Sequence, residues 1–263
     1  MKKALKIVYR FFLTLGLNPV QFLNLLKGLP EYINDYKKIK IQKKGNKDFY
    51  FGTIYPIVAS KHSNSGIMSG HYFHQDLLVA KKIYQNKPLK HIDIGSRIDG
   101  FIAHIAVFRE IEIFDIRPQK TTINNIVFRQ ADLMKLPDNM LNYCDSISSL
   151  HAVEHFGLGR YGDPVDYYGH LKVLENIYRI LQNRGKFYFS VPIGNQRIEF
   201  NAHRVFDLSY LLKLFENKYQ IDSFSYVNDV GDIFENAVLD EKSIKNNFNC
   251  YYGCGIFEMT KNL

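Results

Sequence analysis

The sequence has 263 residues, of which 46% are hydrophobic and 23% are charged, with a formal net charge of +8. This composition excludes a disordered or collagen-like chain, and the length suits one α/β domain with an extension or two small domains. Residues 1–90 hold 16 lysines and arginines against 4 acidic residues, whereas residues 91–263 hold 18 against 22. The basicity belongs to the N-terminal third, which is unlike a uniformly basic nucleic-acid-binding protein.

Two amphipathic patterns open the chain. Apolar residues recur at helical spacing through residues 5–15, and a second apolar run over residues 20–29 stops at Pro30, before a lysine-dense stretch. Lys6 and Arg10 interrupt the first pattern, so neither a cleavable signal peptide nor a transmembrane helix is expected. Residues 1–47 are predicted to form a basic helical extension. It either packs on the protein or makes peripheral contact with an anionic membrane.

Residues 48–89 are predicted to be a lead-in helix to the main domain. His71 and His74 have the spacing of one helix face, and Asp76 follows them, an arrangement that can bind a metal ion. No third and fourth ligand is clearly placed by the sequence, and histidines at the border of a substrate cleft explain the cluster equally well. The sequence therefore predicts no resident metal.

From residue 90 to residue 263, short apolar strands alternate with helical stretches, which is typical of βαβ units. The pattern predicts a doubly wound α/β fold in a domain that covers residues 48–263, with its core at 90–263. Seven strands are expected, at residues 91–95, 111–116, 125–132, 144–150 and 186–192 and in the segments YQIDSFSYV and GCGIFEMT.

The three cysteines are Cys144, Cys250 and Cys254. Three cysteines are too few for a disulfide framework in a chain of this length, which indicates a reducing compartment. Cys250 and Cys254 lack the second ligand pair that a structural zinc site needs. All three are expected to be structural or inert, and the protein is expected to be cytoplasmic.

Acidic and glycine residues follow the first three predicted strands. In doubly wound sheets, ligands bind outside the carboxyl ends of the strands. Gly95 would let a ligand approach the backbone, and Asp115, which follows Asp93 by 22 positions, is placed to accept from ribose hydroxyls. Asp132, after the third strand, is placed for the exocyclic amine of adenine. The order of these residues predicts a nucleoside site.

The segments HIDIGS, FDIRP, RQADLMKLP, SSLHAVEHFG and LENIYRILQNRGKFYFSVP resemble the motifs of class I S-adenosylmethionine-dependent methyltransferases. The resemblance covers residues 88–195 well and 196–263 loosely. It implies a Rossmann-like, mostly parallel sheet whose last strand is antiparallel, and S-adenosyl-L-methionine as the cofactor. The implied cofactor-binding residues are Asp93, Gly95, Ser96, Arg97, Asp115, Ile116, Asp132, Leu133 and Leu150.

The segments DIGSRIDGFIAH, DIRP and FNAHRVFD are similar to a family of methyltransferase-like proteins from bacterial surface-polysaccharide clusters. The glycine loop departs from the usual methyltransferase pattern, because Arg97 and Asp99 stand where small residues normally admit the cofactor's amino-acid portion. We expect this loop to take a different path, with Arg97 paired to the cofactor's carboxylate. The alternative is altered binding in an idle enzyme.

Methyl transfer to a hydroxyl group benefits from a base beside the attacking oxygen. The candidates are His155, which is preferred, and Glu154, His151 and His203. A glycine-rich loop at residues 157–166 is expected to cover the cleft, with Arg160, Tyr161 and Asp163 as candidate contacts for a glycan or phosphate.

The sequence thus predicts a methyltransferase that O-methylates a small molecule or a saccharide precursor in surface polysaccharide biosynthesis. The alternative is a catalytically inactive Rossmann-like binding protein, recruited to a membrane-associated glycan assembly complex. Nucleic acid is not an expected partner, because SLHAVEH stands after the fourth strand in place of an amine-methylation motif of the N/D-P-P-Y/F type.

Overall fold

The computed structural model describes residues 8–9, 11–58, 64–136 and 139–263. The chain divides into two compact units, Met1–Ile67 and Met68–Leu263. The division lies further along the chain than the predicted end of the extension at residue 47.

A long helix, α1 (Pro19–Lys43), dominates the first unit. The Asn18 side chain accepts hydrogen bonds from the backbone N–H groups of Val20 and Gln21, and Pro19 begins the helix, where its missing N–H costs nothing. The helix continues through Pro30, beyond the end that the sequence predicts. All of α1 is described, and none of its residues is buried.

The first predicted helical pattern lies partly outside the described residues, and residues 11–14 of it are helical. Residues 51–58 have no regular secondary structure, so the lead-in helix predicted at 48–89 is shorter than expected. None of the described helices is both long and apolar enough to cross a membrane.

The second unit contains ten strands among its described residues: β1 (His91–Ile94), β2 (Ile111–Asp115), β3 (Ile126–Gln130), β4 (Cys144–Leu150), β5 (Leu181–Ile193), β6 (Arg197–Glu199), β7 (His203–Val205), β8 (Tyr219–Val227), β9 (Ile233–Phe234) and β10 (Gly253–Lys261). Eight of them form one sheet in the order β3-β2-β1-β4-β5-β10-β8-β9, and β6 pairs with β7 separately. The pairs from β3 to β5 are parallel, whereas β10 is antiparallel to both β5 and β8.

Helices cover both faces of this sheet. They are α2 (His71–Asn86), α3 (Ala103–Ala106), α4 (Gly169–Ile180), α5 (Leu208–Phe215) and α6 (Glu241–Lys245), and a π-helical turn at Ile98–Ile102 leads into α3. Val79 of α2 and Ile105 of α3 belong to one buried cluster, whereas Ile177 of α4 and Leu211 of α5 belong to the other.

The structure confirms the predicted Rossmann-like doubly wound fold with its antiparallel last strand. The strand count was wrong, because the main sheet has eight strands rather than seven. The additional strand, β9, is two residues long and pairs with the end of β8, so it is too short to produce an alternating pattern. The carboxyl ends of β1, β2 and β4 share one edge of the sheet, and the candidate site lies there.

Candidate functional site

A cleft opens at the carboxyl ends of these strands, where ligands bind in doubly wound sheets. Seven of the predicted cofactor-binding and catalytic residues line it: Gly95, Arg97, Asp115, Ile116, Leu133, His151 and His155. The remaining lining residues are Tyr72, Phe114, Arg117, Ala131, Ala152, Phe156, Tyr161 and Asp163.

Asp93 holds the glycine loop from inside the protein. Its Oδ1 accepts from the backbone N–H of Ser96 at 2.9 Å, and its Oδ2 accepts from the hydroxyls of Ser96 and Ser148. The side chain is buried, and burial raises its pKa to about 6 against the opposing effect of these hydrogen bonds. Asp93 and Ser96 therefore shape the loop and do not line the cleft.

His91 extends this buried network of hydrogen bonds. Its Nε2 lies 3.1 Å from the Ser148 hydroxyl, which donates to Asp93 and so accepts from the imidazole. Its Nδ1 lies 2.8 Å from the Ser146 hydroxyl. Burial, with a smaller contribution from Arg109, lowers the pKa of His91 to about 3. The imidazole is therefore neutral and acts as a support for the loop.

The glycine loop brings its backbone to the cleft at Gly95, whose φ of +72° favours glycine. A Cβ there would lie 3.1 Å from the Cβ of Ala152. Arg97 lines the cleft over the ring of Tyr72, and its guanidinium donates two hydrogen bonds to Asp99, at 3.1 and 2.9 Å. Arg97 and Asp99, which depart from the usual pattern of the glycine loop, thus form an ion pair with each other.

Asp115 is fixed at the end of β2 by Arg117. The Asp115 carboxylate accepts from the Arg117 backbone N–H at 2.8 Å and from its guanidinium at 3.0 and 2.6 Å. The guanidinium carbon also lies 4.4 Å from the centroid of the Tyr161 ring. A carboxylate has about four acceptor positions, so Asp115 keeps capacity for a ligand hydroxyl.

Two further predicted cofactor residues, Asp132 and Leu150, do not line the cleft. Asp132 turns back to its own turn, where Oδ1 accepts from the backbone N–H of Met134 at 3.0 Å, and the neighbouring Leu133 lines the cleft instead. Leu150 packs in the cluster that contains Tyr188, on the other face of the sheet.

His151 follows β4 with a φ of +49°, a conformation that is rare for residues other than glycine. Its Nδ1 lies 2.7 Å from Oε1 of the buried Glu154. Nε2 of His151 and Oε2 of Glu154 are buried and have no hydrogen-bond partner among the described residues. The ring of His71 stacks on that of His151, with centroids 5.1 Å apart, and Tyr72 contacts it from another side.

His155 lies in a single 3₁₀ turn, Val153–His155, and lines the cleft. Its Nδ1 donates to the carbonyl of Ala202 at 2.7 Å, because a carbonyl can only accept, and Nε2 therefore carries the lone pair. Burial lowers the pKa of His155, against the opposing effect of Glu154. The side chain is thus a neutral imidazole whose acceptor nitrogen, Nε2, lies 3.8 Å from Oε1 of Glu154.

His203, the fourth candidate base, lies on β7 and does not line the cleft. Its ring contacts Tyr252, with centroids 5.0 Å apart, and its Nε2 lies 3.8 Å from Oε2 of Glu199. Burial lowers its pKa. Of the four candidates, the structure brings His151 and His155 into the cleft, with Glu154 beneath them.

The loop at residues 157–166 forms one wall of the cleft. The buried Asp163 carboxylate accepts from the backbone N–H groups of Gly157, Gly159 and Tyr161, at 2.8, 3.2 and 3.1 Å. Arg204 supports the segment from below by donating to three backbone carbonyls, those of Glu154, Phe156 and Tyr167. Arg160 does not line the cleft, since its guanidinium donates to the carbonyl of Ala202.

Sequence reasoning missed several residues of the cleft. Tyr72 comes from α2. Arg117 follows Ile116, and Phe156 follows His155, both of which the sequence identified. The FDIRP segment could have indicated Arg117, because it lies two positions after Asp115 at a strand end. The suspected group of His71, His74 and Asp76 does not converge: His71 stacks on His151, whereas the Asp76 carboxylate accepts from Gln75.

Solved structures of similar fold include enzymes of methyl transfer. The 1,6-didemethyltoxoflavin-N1-methyltransferase of Burkholderia thailandensis, solved with 1,6-didemethyltoxoflavin and S-adenosylhomocysteine, has a TM-score of 0.52 at 10% identity, over 93% of this chain and 91% of that chain. The N-methyltransferase NodS of Bradyrhizobium japonicum, solved with S-adenosylhomocysteine, gives 0.47 at 10% identity over 73% and 88%. The [4+2]-cyclase SpnF gives 0.49 at 12% identity over 72% and 81%. At these identities the likeness establishes the fold alone.

A family model described as "Caenorhabditis protein of unknown function, DUF268" matches residues 109–250, more than half of the chain. No curated protein sequence matches significantly.

Proposed function

The chain belongs to the DUF268 family, and from its site we propose that it is an S-adenosylmethionine-dependent methyltransferase of small molecules. The observation that carries the proposal is the cleft in which the Gly95 backbone, the Asp115 carboxylate and the apolar side chain of Leu133 lie together at neighbouring strand ends. A nucleoside with a charged amino-acid tail needs these three surfaces. The proposal has further support from the fold of the Burkholderia enzyme, which was solved with S-adenosylhomocysteine.

The chain's own residues fit the cofactor as follows. Asp115 would accept from the ribose hydroxyls, while Leu133 and Phe156 supply an apolar surface for the adenine. Gly95 would admit the methionine portion. Arg97, which is about half exposed in its pair with Asp99, would bind the methionine carboxylate in a bidentate contact.

The bound cofactor supplies an electrophilic methyl group on a sulfonium. His155 is the proposed base, because the residue lines the cleft and its Nδ1 is held by the Ala202 carbonyl, which leaves Nε2 as the acceptor nitrogen. It would accept the proton of an acceptor hydroxyl, which makes the oxygen a better nucleophile. The wall formed by Tyr161 and Asp163 excludes water from that side of the cleft.

We further propose that the acceptor is a saccharide precursor of a surface polysaccharide and that the methylated atom is an oxygen. The acceptor side of the cleft combines aromatic faces, Tyr72 and Tyr161, with the polar imidazole of His155. Sugars offer both apolar ring faces and hydroxyls, so a mixed surface of this kind suits them.

The test is methyl transfer from radiolabelled S-adenosylmethionine to a panel of nucleotide sugars and oligosaccharides, followed by mass spectrometry of the labelled product. We expect an O-methylated sugar from the wild type and at least about a hundredfold slower transfer from His155→Gln. His74→Gln is the matched control, since His74 does not line the cleft. Label transfer to a non-sugar acceptor would refute the saccharide assignment and leave the enzyme class intact.

We also propose that α1 binds the surface of an anionic membrane. Its exposed apolar residues include Leu23 and Leu26, and Lys37, Lys38 and Lys40 are exposed near its carboxyl end. An anionic membrane surface buries apolar side chains among its lipids and attracts lysines to its headgroups, and this helix carries both kinds of residue. The full chain should float with anionic liposomes, and replacement of the three lysines by glutamate should abolish flotation. Equal flotation of both proteins would refute the contact.

A further inference from the structure

Three side chains from distant parts of the second unit converge beside the cleft. His71 begins α2, His151 follows β4, and Cys254 lies on β10. Each offers one donor atom, and these atoms lie within 4.8 Å of one another. The sequence suggested His71 as a ligand without a third partner, and β10 supplies the partner that local spacing could not show.

The second observation is the unpartnered Nε2 of His151. The residue is 93% buried, since its relative exposure is 7%, and Nε2 has no hydrogen-bond partner among the described residues. A buried polar atom without a partner destabilises the fold, and a ligand that bound to it would remove that cost. The Cys254 thiol has weak hydrogen bonds to Gln75 Oε1, at 3.7 Å, and to the Gly255 carbonyl, at 3.9 Å.

His151 is oriented in the manner of a metal ligand. His151 is held through Nδ1 by the Glu154 carboxylate, at 2.7 Å. In metal sites the second ring nitrogen of a ligating histidine is typically bonded to a carboxylate or carbonyl in this way.

We propose that His71, His151 and Cys254 bind a zinc ion, with Glu154 positioning His151. Two imidazole nitrogens and a thiolate suit Zn²⁺ and do not suit Mg²⁺, which prefers oxygen ligands. Zinc bonds of about 2.0–2.3 Å place tetrahedral ligands roughly 3.3–3.6 Å apart, so donors that now lie within 4.8 Å of one another need to close by at most about 1.5 Å. On binding, the Cys254 thiol releases its proton to solvent.

Three protein ligands leave the fourth position of the ion open, as in catalytic zinc sites. Of the three ligands, His151 lines the cleft, and we expect an acceptor oxygen to take the open position, where the bound ion would make its proton more acidic. The role in acceptor activation rests on the proposed function, whereas the binding of zinc does not.

The test uses the full chain, stripped of metal and without cofactor or acceptor. Calorimetric titration with Zn²⁺ should give one equivalent, and titration with Co²⁺ should give a thiolate-to-cobalt charge-transfer band with tetrahedral ligand-field bands. Cys254→Ser should lose the charge-transfer band, and His71→Ala should weaken Zn²⁺ binding at least about a hundredfold. Glu154→Gln should weaken it about 10–100-fold, as expected for a positioning residue.

Cys250→Ser is the matched control, because Cys250 is buried nearby in sequence but lies outside the cluster, and it should behave as the wild type. Circular dichroism establishes that each variant is folded. Substoichiometric Zn²⁺, or a Co²⁺ spectrum that Cys254→Ser and His71→Ala both leave unchanged, would overturn the site. Because no cofactor is present, either result is independent of whether S-adenosylmethionine binds.

Discussion

His91 offers a test of the buried hydrogen-bond network that supports the glycine loop. The imidazole is fully buried and neutral, with its pKa lowered from 6.5 to about 3 by burial and, to a lesser extent, by Arg109. Replacing it in His91→Gln keeps an amide that can bond to Ser148 but removes the titrating group. The variant therefore isolates the pH dependence of a single side chain.

The sign follows from proton binding. Between pH 6.5 and pH 3 the unfolded chain holds a proton on this imidazole that the folded protein excludes, so the stability is lost as the pH falls below 6.5. Each pH unit in that window costs about 1.4 kcal/mol, and the loss from pH 7.5 to pH 5 is about 2 kcal/mol. The free energy of unfolding of His91→Gln should decline less than that of the wild type by this amount.

The assay is urea unfolding at several pH values from 7.5 to 5, since the difference between the two proteins cancels all other titrating groups. Ser146→Ala is the control, because it removes a hydrogen-bond partner of His91 and keeps the imidazole. It should lower the stability by a constant amount and preserve the wild-type slope. If the free energies of unfolding of the wild type and His91→Gln instead show the same pH dependence, His91 is protonated in the folded protein. In that case the hydrogen bonds that link it through Ser148 to Asp93 are incorrectly described.

Three further substitutions test the wall of the cleft. Gly157→Ala should destabilise the protein by more than about 3 kcal/mol in a thermal unfolding experiment, because φ is +80° and a Cβ would lie 2.0 Å from the carbonyl oxygen of Asp166. Asp163→Asn leaves one oxygen for three N–H donors, so loop amides should exchange faster in hydrogen exchange, at a cost of about 1–3 kcal/mol. Arg204→Lys cannot reach three carbonyls with one ammonium, and its unfolding free energy should fall by about 2 kcal/mol. Wild-type stability or exchange in any of them would contradict the described contacts.

The sequence was most informative where structure is local. The fourth strand was predicted at residues 144–150 and is Cys144–Leu150, because a continuous apolar run between turn signals marks a buried strand. Gly95 and Asp115 lie at the cleft because the carboxyl ends of parallel strands meet at one edge.

Side-chain direction at a strand end was not predictable, because it depends on partners far along the chain. Asp93 points into the protein, where Ser148, 55 positions away, donates to it. Asp132 points to its own turn. Cys254 was expected to be inert, since nothing in its local sequence indicates that β10 inserts between β5 and β8 and brings it near His151.

The central claim is that the cleft binds S-adenosylmethionine, and calorimetric titration with S-adenosylhomocysteine tests it most directly. The wild type should bind one equivalent. Asp115→Asn should bind at least about tenfold more weakly, a loss of about 1.4 kcal/mol, because a ribose hydroxyl loses a charged acceptor. Absence of binding heat up to millimolar ligand, or equal affinity of the two proteins, would contradict the account.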